Sequence, residues 1–156
     1  MNAKAISPVI ATVIIVSVAI AIAVAVAFWM TGITGLFTRY EKLEVINAYA
    51  TKPDNIFNIT IYVKNTGSSD ATVDSIFVNG KPPSQANVIN ITAVTDTTSL
   101  FFNTTNFTRI SVSVPTGKSA TFAVVLNGTY YGSGQIVEVK LHTAAGNEYP
   151  KSVQLP

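Results

Sequence analysis

The sequence contains no cysteine and few charged residues. Without thiols the chain forms no disulfide, no thiolate nucleophile and no cysteine-ligated metal site. Only 12% of its 156 residues are charged, against a usual share of about 25%. Residues 45–156 contain 7 Lys/Arg and 6 Asp/Glu, and the whole chain has a net charge of +2 with no basic run. This is not the electrostatic pattern of a nucleic-acid-binding protein, so we expect no nucleic acid among its partners.

Residues that perform catalysis or bind metals are also sparse. The single histidine, His142, has no cysteine or second histidine with which to form a metal site or an activated nucleophile. The acidic residues Asp54, Asp70, Asp74 and Asp96 are dispersed without the spacing of a calcium loop. We therefore expect no enzyme, no cofactor and no metal site. A structural or surface role is expected for His142, and a cation site built from loops is the alternative for the carboxylates.

Charge is missing altogether between Lys4 and Arg39. Within this window the apolar block 9–30 is interrupted by only two hydroxyl residues. Ser7-Pro8 is typical of a helix start, because serine caps the first turn and proline fits the first helical position. A helix needs about 20 apolar residues to span a bilayer. The sequence therefore predicts a hydrophobic helix within residues 6–44 that is long enough to cross a membrane.

Alanine alternates with valine and isoleucine in the second half of this block. The apolar residues surround the predicted helix, so no face is suited to water. Alternating small and β-branched residues allow helices to approach closely on several sides, which a plain anchor does not need. We predict that the helix packs against copies of itself through Val9, Val13, Val16, Ala19, Ala21, Ala23, Ala25, Ala27 and Trp29.

Two other interpretations of the helix stay open. A cleavable secretory signal has a shorter apolar region, roughly 7–15 residues, before a small-residue cleavage site. Ala23-Val24-Ala25 or Ala25-Val26-Ala27 would serve as that site. The helix could equally be a signal anchor that tethers an extracellular binding module. Charge does not fix its orientation, because basic residues flank both ends.

Short β-rich segments separated by turn residues follow the helix. No amphipathic helix interrupts them, and the aromatic residues Phe57, Tyr62, Phe77 and Phe122 are expected in the core. The sequence predicts an α+β chain in which a long hydrophobic helix precedes an immunoglobulin-like β-sandwich of seven or eight strands over residues 45–156. The predicted strands are 43–49, 56–64, 72–78, 88–94, 110–114, 120–126, 135–142 and 152–155.

One modification motif occurs more often than the amino-acid composition of the chain predicts. Asn-x-Ser/Thr, the acceptor for N-linked glycans, occurs five times in a domain rich in Asn and Thr. Composition alone accounts for part of this number, so the motifs are candidates that presuppose an extracellular domain. The candidate acceptors are Asn58, Asn90, Asn103, Asn106 and Asn127.

The segment Lys4-Ala5-Ile6-Ser7-Pro8-Val9 resembles the class III leader junction of archaeal type IV pilins. The segments 59–67 and 71–78 are similar to strands of archaeal pilin and archaellin head domains. The resemblance implies that a prepilin-peptidase-like enzyme cuts between Ala5 and Ile6. Residues 1–5 would then be a leader, 6–44 a helix held first in the cell membrane and later in a filament core, and 45–156 the head domain.

The resemblance also implies a function. It describes a major pilin of an extracellular, cell-surface filament: a helical homo-oligomer that is delivered by a pilus assembly machinery and serves adhesion. A membrane-anchored extracellular binding module, or a minor or tip pilin, is the alternative.

The leader junction generates the first testable prediction. If a prepilin-peptidase-like enzyme processes the chain, mass spectrometry of the protein from cells will find Ile6 as its first residue. Electron microscopy of the same cells should show filaments that contain it. A monomeric membrane protein that retains Met1 would contradict the resemblance.

Overall fold

The chain divides into a helical unit, Met1–Arg39, and a β unit, Tyr40–Pro156. A computed structural model describes residues 8–37, 39–96, 99–103 and 110–156, with the backbone alone at 34–37 and 103. Helix α1 occupies Pro8–Phe37, 30 residues, and is about 45 Å long at 1.5 Å per residue. It begins at Pro8, as the sequence predicts.

The β unit contains nine strands among its described residues, and all of the pairs they form are antiparallel. A single 3₁₀ turn at Pro83–Gln85 precedes the fourth strand. The strands are β1 Leu43–Thr51, β2 Ile56–Asn65, β3 Ala71–Val78, β4 Val88–Thr95, β5 Ser99–Asn103, β6 Val112–Val114, β7 Ser119–Asn127, β8 Ile136–Thr143 and β9 Glu148–Gln154.

The strands form two sheets with an immunoglobulin-like order. Sheet A has the order β1-β2-β7-β4-β5, and sheet B has the order β6-β3-β8-β9. In chain order, β1-β2-β7-β4 and β3-β8-β9 correspond to the ABED and CFG sheets of a constant-type immunoglobulin domain. Strands β5 and β6 extend one edge of each sheet. The predicted fold, a long apolar helix followed by a β-sandwich, is confirmed.

Two strands differ from the sequence-based expectation. Strand β5 was not predicted, because its five residues offer a short pattern; it pairs with β4, for example Ala93 with Leu100. Strand β9 begins at Glu148, earlier than the predicted 152, and includes Pro150. Proline is tolerated there because β9 lies at the edge of sheet B, where one side of the strand needs no hydrogen-bond donor.

The core lies between the sheets and follows the period-2 alternation of the strands. In β2 the odd residues Phe57, Ile59, Ile61 and Val63 are buried. Phe122 of the neighbouring strand β7 pairs with Ile61 and is buried on the same side of sheet A. The even residues of β2 point to the outer side of sheet A.

Two of the four aromatic residues expected in the core therefore lie elsewhere. Tyr62 is 41% exposed, since it is five residues from Phe57 and faces the opposite side of the sheet. Phe77 is half-buried on the outer side of β3.

A buried asparagine organises the chain where it enters the β unit. The amide of Asn65 donates to the carbonyl oxygens of Ser69 at 2.9 Å and Val114 at 2.8 Å, and its side-chain oxygen accepts from Gly67 N. A Cβ atom at Gly67 would lie 2.5 Å from the carbonyl oxygen of Tyr40. Only glycine allows this approach, so the loop after β2 fits directly against the first residues of the unit.

A second polar contact joins two loops of the β unit through the phenol of Tyr131, a group whose titration can be measured. The hydroxyl of Tyr131 donates to the carbonyl oxygen of Ala86 at 2.6 Å. Burial raises the pKa of Tyr131 above its ordinary value. Because the folded state favours the protonated phenol, this contribution to stability is complete below the unfolded pKa near 10 and is lost as pH rises through the folded pKa.

We expect Tyr131→Phe to lower the free energy of unfolding at neutral pH by about 1 kcal/mol, the net value of one hydrogen bond. The variant should also lose less stability than the parent between pH 9 and 11. Urea denaturation of the detergent-solubilised chain, followed by near-ultraviolet circular dichroism, measures both effects. Tyr130→Phe is the matched control, because Tyr130 is 63% exposed; equal effects of the two substitutions would contradict the prediction.

Candidate functional site

Helix α1 satisfies its polar groups internally. The hydroxyls of Thr12, Ser17 and Thr31 each donate, at 2.8 Å, to a backbone carbonyl three or four residues earlier. This arrangement lets hydroxyl residues enter an apolar medium without leaving an unpaired donor. The described part of the helix carries no charged side chain. Besides the three hydroxyls, the indole N–H of Trp29 is the one side-chain donor among the described side chains of the helix.

The surface of α1 is apolar on every side. Apart from the half-buried Ala11 and Ile33, every described side chain of the helix is exposed, including Phe28 at 75% and Trp29 at 67%. The stretch Pro8–Ile33 is long and apolar enough to cross a membrane, a property that an N-terminal signal sequence shares. An apolar surface of this extent marks an interaction with lipid or with protein.

The small residues of the helix form two stripes. Successive residues of an α-helix are about 100° apart, so Ala19, Ala23 and Ala27 lie on one side, while Ala21 and Ala25 lie about 200° away on the opposite side. The alternation of the sequence thus becomes two shallow grooves on opposite sides of the helix. Ridges of larger residues separate the grooves, with Ile20, Val24 and Phe28 on one ridge and Ile22, Val26 and Met30 on the other.

The nine residues predicted to pack do not share one face. Val9 and Val16 continue the sector of the first stripe, Val13 lies on the adjoining ridge, and Trp29 follows Ala25 by one turn on the second stripe. The helical repeat thus distributes the predicted set over the two stripes and one ridge, and the packing itself stays a prediction. The predicted processing residues Lys4, Ala5 and Ile6 lie outside the described residues.

The glycan candidates lie in the β unit. Asn58, Asn90 and Asn127 are half-buried residues of β2, β4 and β7. Asn103 is the last residue of β5, and Asn106 lies outside the described residues. Asn127 accepts a hydrogen bond from Thr129 N at 3.0 Å, so its side chain is oriented by the turn that follows β7.

The structure also brings together two residues that the sequence analysis treated separately. Nδ1 of His142 lies 2.6 Å from Oδ1 of Asp74, although the residues are 68 positions apart. A bulge in β3 between Val73 and Ser75 displaces Asp74 next to the paired strand β8. The imidazole meets the ring of Phe77 edge-on, with 6.3 Å between the centroids. Only the strand pairing of Ser75 with His142 could have indicated this contact, and no local motif does.

A second ion pair lies beside the first on the same sheet. Nζ of Lys140 is 3.0 Å from Oε2 of Glu148 and 5.5 Å from the centroid of the Phe77 ring. Phe77 therefore lies between an acid–histidine pair and a lysine–carboxylate pair. No group of three His, Asp or Glu residues that could hold a metal ion occurs in the part of the chain that the structure describes. The cluster joins β3, β8 and β9 and makes the outer side of sheet B polar.

No protein-family model and no curated protein matches the chain. Among solved structures, it is similar to the archaellum periplasmic stator protein FlaG from Sulfolobus acidocaldarius, with 13% identity over 72% of this chain and 99% of the other and a TM-score of 0.41. FlaF and FlaG in their complex from the same organism give 13% identity, 70% and 86% coverage and a TM-score of 0.40. The Iho670 flagellar-like filament gives 15% identity, 96% and 98% coverage and a TM-score of 0.37. Identities of 13–15% do not place the chain in a family.

Proposed function

We propose that this protein is the structural subunit of an extracellular filament, a major pilin of the archaeal type IV class, that polymerises through α1. One observation carries the proposal: α1 is apolar on all sides and has alanine stripes on two opposite sides. The β unit, with its own core and polar turns, is then the outer part of the filament.

The first step of the mechanism is storage of the helix in the membrane. A helix satisfies all of its backbone groups internally except at its ends, so α1 is stable in hydrocarbon. The hydroxyls of its described side chains, Thr12, Ser17 and Thr31, are paired with its own carbonyls and add no unpaired donor. The subunit therefore waits in the cell membrane with the β unit outside.

The second step is transfer of the helix from lipid to protein. Lipid tails are as apolar as leucine, so close packing has to supply the gain when one helix replaces lipid around another. Small residues permit that packing because they let two backbones approach. The stripes of Ala23 and Ala25, on opposite sides of α1, each accept the ridge of a neighbour.

Two grooves on opposite sides favour an open array. A contact between different surfaces of identical subunits is heterologous, and such contacts continue as a helical filament when the rotation does not close. A dimer would need only one self-complementary surface. The helix has two, which is the geometry of a polymer.

Three further parts of the proposal, namely processing, delivery and adhesion, rest on the resemblance to pilins alone. The junction Lys4–Val9 supports a cut before Ile6 by a prepilin-peptidase-like enzyme, and a pilus assembly machinery would then extract the helix. The protein would act as a non-catalytic building block in surface adhesion. The second candidate is an anchored binding module or a minor pilin; the membrane-length helix taken alone supports it equally.

The alanine stripes separate a polymerising helix from a tether. Ala23→Leu fills a groove and should reduce filament yield at least tenfold, since overpacking costs about 1–3 kcal/mol at each of many repeated contacts. Val24→Leu, one residue away on a ridge, adds a single methylene and should assemble nearly normally. Electron microscopy and the yield of sheared filaments give the result, with subunit level in the membrane as the control. Equal assembly of both variants would show that the grooves are unused.

A buried charge gives a second test. Ala21→Asp should abolish filaments, because an unpaired carboxylate in an apolar core is costly. Ala21→Ser is the matched control: its hydroxyl can donate to a carbonyl of the preceding turn, as Ser17 does. Membrane fractionation must first show that the aspartate variant is inserted. Intact filaments that contain the inserted aspartate variant would refute packing of this position in a helical core.

A further inference from the structure

The outer side of sheet A carries no charged residue over three adjacent rows of cross-strand partners. We name these fifteen positions the uncharged face. Each row crosses all five strands in the order β1, β2, β7, β4, β5. The rows are Asn47, Tyr62, Thr121, Val94 and Ser99; Tyr49, Thr60, Ala123, Thr92 and Phe101; and Thr51, Asn58, Val125, Asn90 and Asn103.

The glycan acceptor motifs converge on this face. Asn58 and Asn90 pair with Val125 from its two sides, and the position of Asn103 pairs with Asn90. Asn127 follows Val125 by two residues on β7 and therefore lies on the same side of the sheet. The acceptors Asn58, Asn90 and Asn127, separated by up to 69 residues in sequence, thus occupy one end of one sheet face, and the backbone of Asn103 lies in the row of Asn90. The fifth, Asn106, lies outside the described residues.

The hydroxyl residues of two of these motifs lie on the same face. The third residue of each motif must be Ser or Thr, and Thr60 and Thr92 supply it for the acceptors Asn58 and Asn90. Both threonines pair with Ala123 in the neighbouring row. Complete motifs, including their hydroxyl residues, therefore lie side by side on the outer surface.

The opposite side of the sandwich has a different character. The outer side of sheet B contains the pairs Asp74–His142 and Lys140–Glu148 around Phe77. No acceptor motif occurs in β3, β6, β8 or β9. The acceptor motifs of the described strands therefore lie on sheet A alone, whereas the pairs around Phe77 lie on the outer side of sheet B.

The uncharged face needs a cover that its own side chains do not provide. Tyr49, Tyr62 and Phe101 are 42%, 41% and 64% exposed on it. The side-chain oxygen of Asn58 is buried and has no hydrogen-bond partner among the described residues. Exposed aromatic rings and a buried acceptor without a donor are both unfavourable for a protein surface in water. A layer of sugar covers the rings.

We propose that the uncharged face is a glycan-bearing face, on which N-linked oligosaccharides at Asn58, Asn90 and Asn127 cover the rings of sheet A and leave sheet B bare. The proposal rests on the proposed function only in placing the β unit outside the cell. The donor is a lipid-phosphate-linked oligosaccharide. The bond from its anomeric carbon to phosphate oxygen breaks and a bond to Nδ2 of asparagine forms. Nδ2 loses one proton, and the lipid phosphate leaves with the bonding electrons.

Site-specific glycopeptide mass spectrometry of the full chain from its native cells tests the proposal. We expect an oligosaccharide mass on Asn58, Asn90 and Asn127. Peptides that contain these three residues without any added mass would overturn it. Crosslinking of the unmodified face to a second copy of the chain would also overturn the proposal, because another copy and not sugar would then cover the face.

Matched variants test whether sugar covers the face. Thr92→Val removes the motif of Asn90 with little change of shape, whereas Thr92→Ser keeps it. We expect the valine variant to lose one oligosaccharide mass and to bind more of a fluorescent apolar dye, and the serine variant to do neither. The pair Thr60→Val and Thr60→Ser repeats the test at Asn58. Loss of the sugar without any rise in dye binding in either pair would overturn the covering role.

A new acceptor motif on the outer side of sheet B tests whether that side has to stay free of sugar. Pro150→Asn creates an acceptor motif with Ser152 on the outer side of β9, where Pro150 is exposed and pairs with Lys140. We expect added sugar at this position to lower filament yield, while loss of the motif at Asn90 does not. Modified asparagines on a protein that forms no filaments would contradict the proposed function alone. Filaments with bare asparagines would contradict the glycan-bearing face alone.

Discussion

The structure depends on a single imbalance in α1: its polar groups are satisfied inside the helix, and its entire outer surface is apolar. Ordinary surface helices bury one stripe against their own domain and leave the other side to water. In α1 the apolar residues surround the helix, so an apolar medium has to supply their contacts. Lipid meets that need on all sides equally. Under the proposed function protein replaces lipid at the two opposed alanine stripes, because only protein distinguishes grooves from ridges.

The β unit is built so that the chain is held from its first residue. Ser68 and Ser69 donate their backbone N–H groups to the carbonyl oxygen of Tyr40, and Thr66 donates to that of Lys42. Asn65 fixes the same loop by three hydrogen bonds and connects it to β6 in the other sheet. The segment that follows the helix is therefore part of the sandwich. Under the proposed function the domain stays folded while its helix is extracted from a membrane, and such an attachment favours this.

The sequence predicts α1, the sandwich and eight of the nine strands, because composition and alternation are local properties. Strand β5 and the His142–Asp74 contact depend on pairing between distant residues, which no local pattern encodes. Tyr62 was misplaced in the core because its aromatic character outweighed its register, although alternation from Phe57 puts it outside. The nine residues predicted to pack were chosen by type; the helical repeat, not the type, distributes them over two stripes and the ridge that carries Val13.

The lack of charge on one side of the β unit matters because of what the proposed function assigns to the helix. A helix that gathers copies of the chain raises the local concentration of every β unit attached to it. At such concentrations a bare uncharged sheet face with exposed rings would associate with any neighbour, since charge is a common protection against unwanted sheet contacts. Sheet B has that protection in Asp74 and in the Lys140–Glu148 ion pair, whereas sheet A lacks it over fifteen positions. A polymer of this chain therefore needs a cover on sheet A that is not charge, and the asparagines gathered there provide the means to attach one.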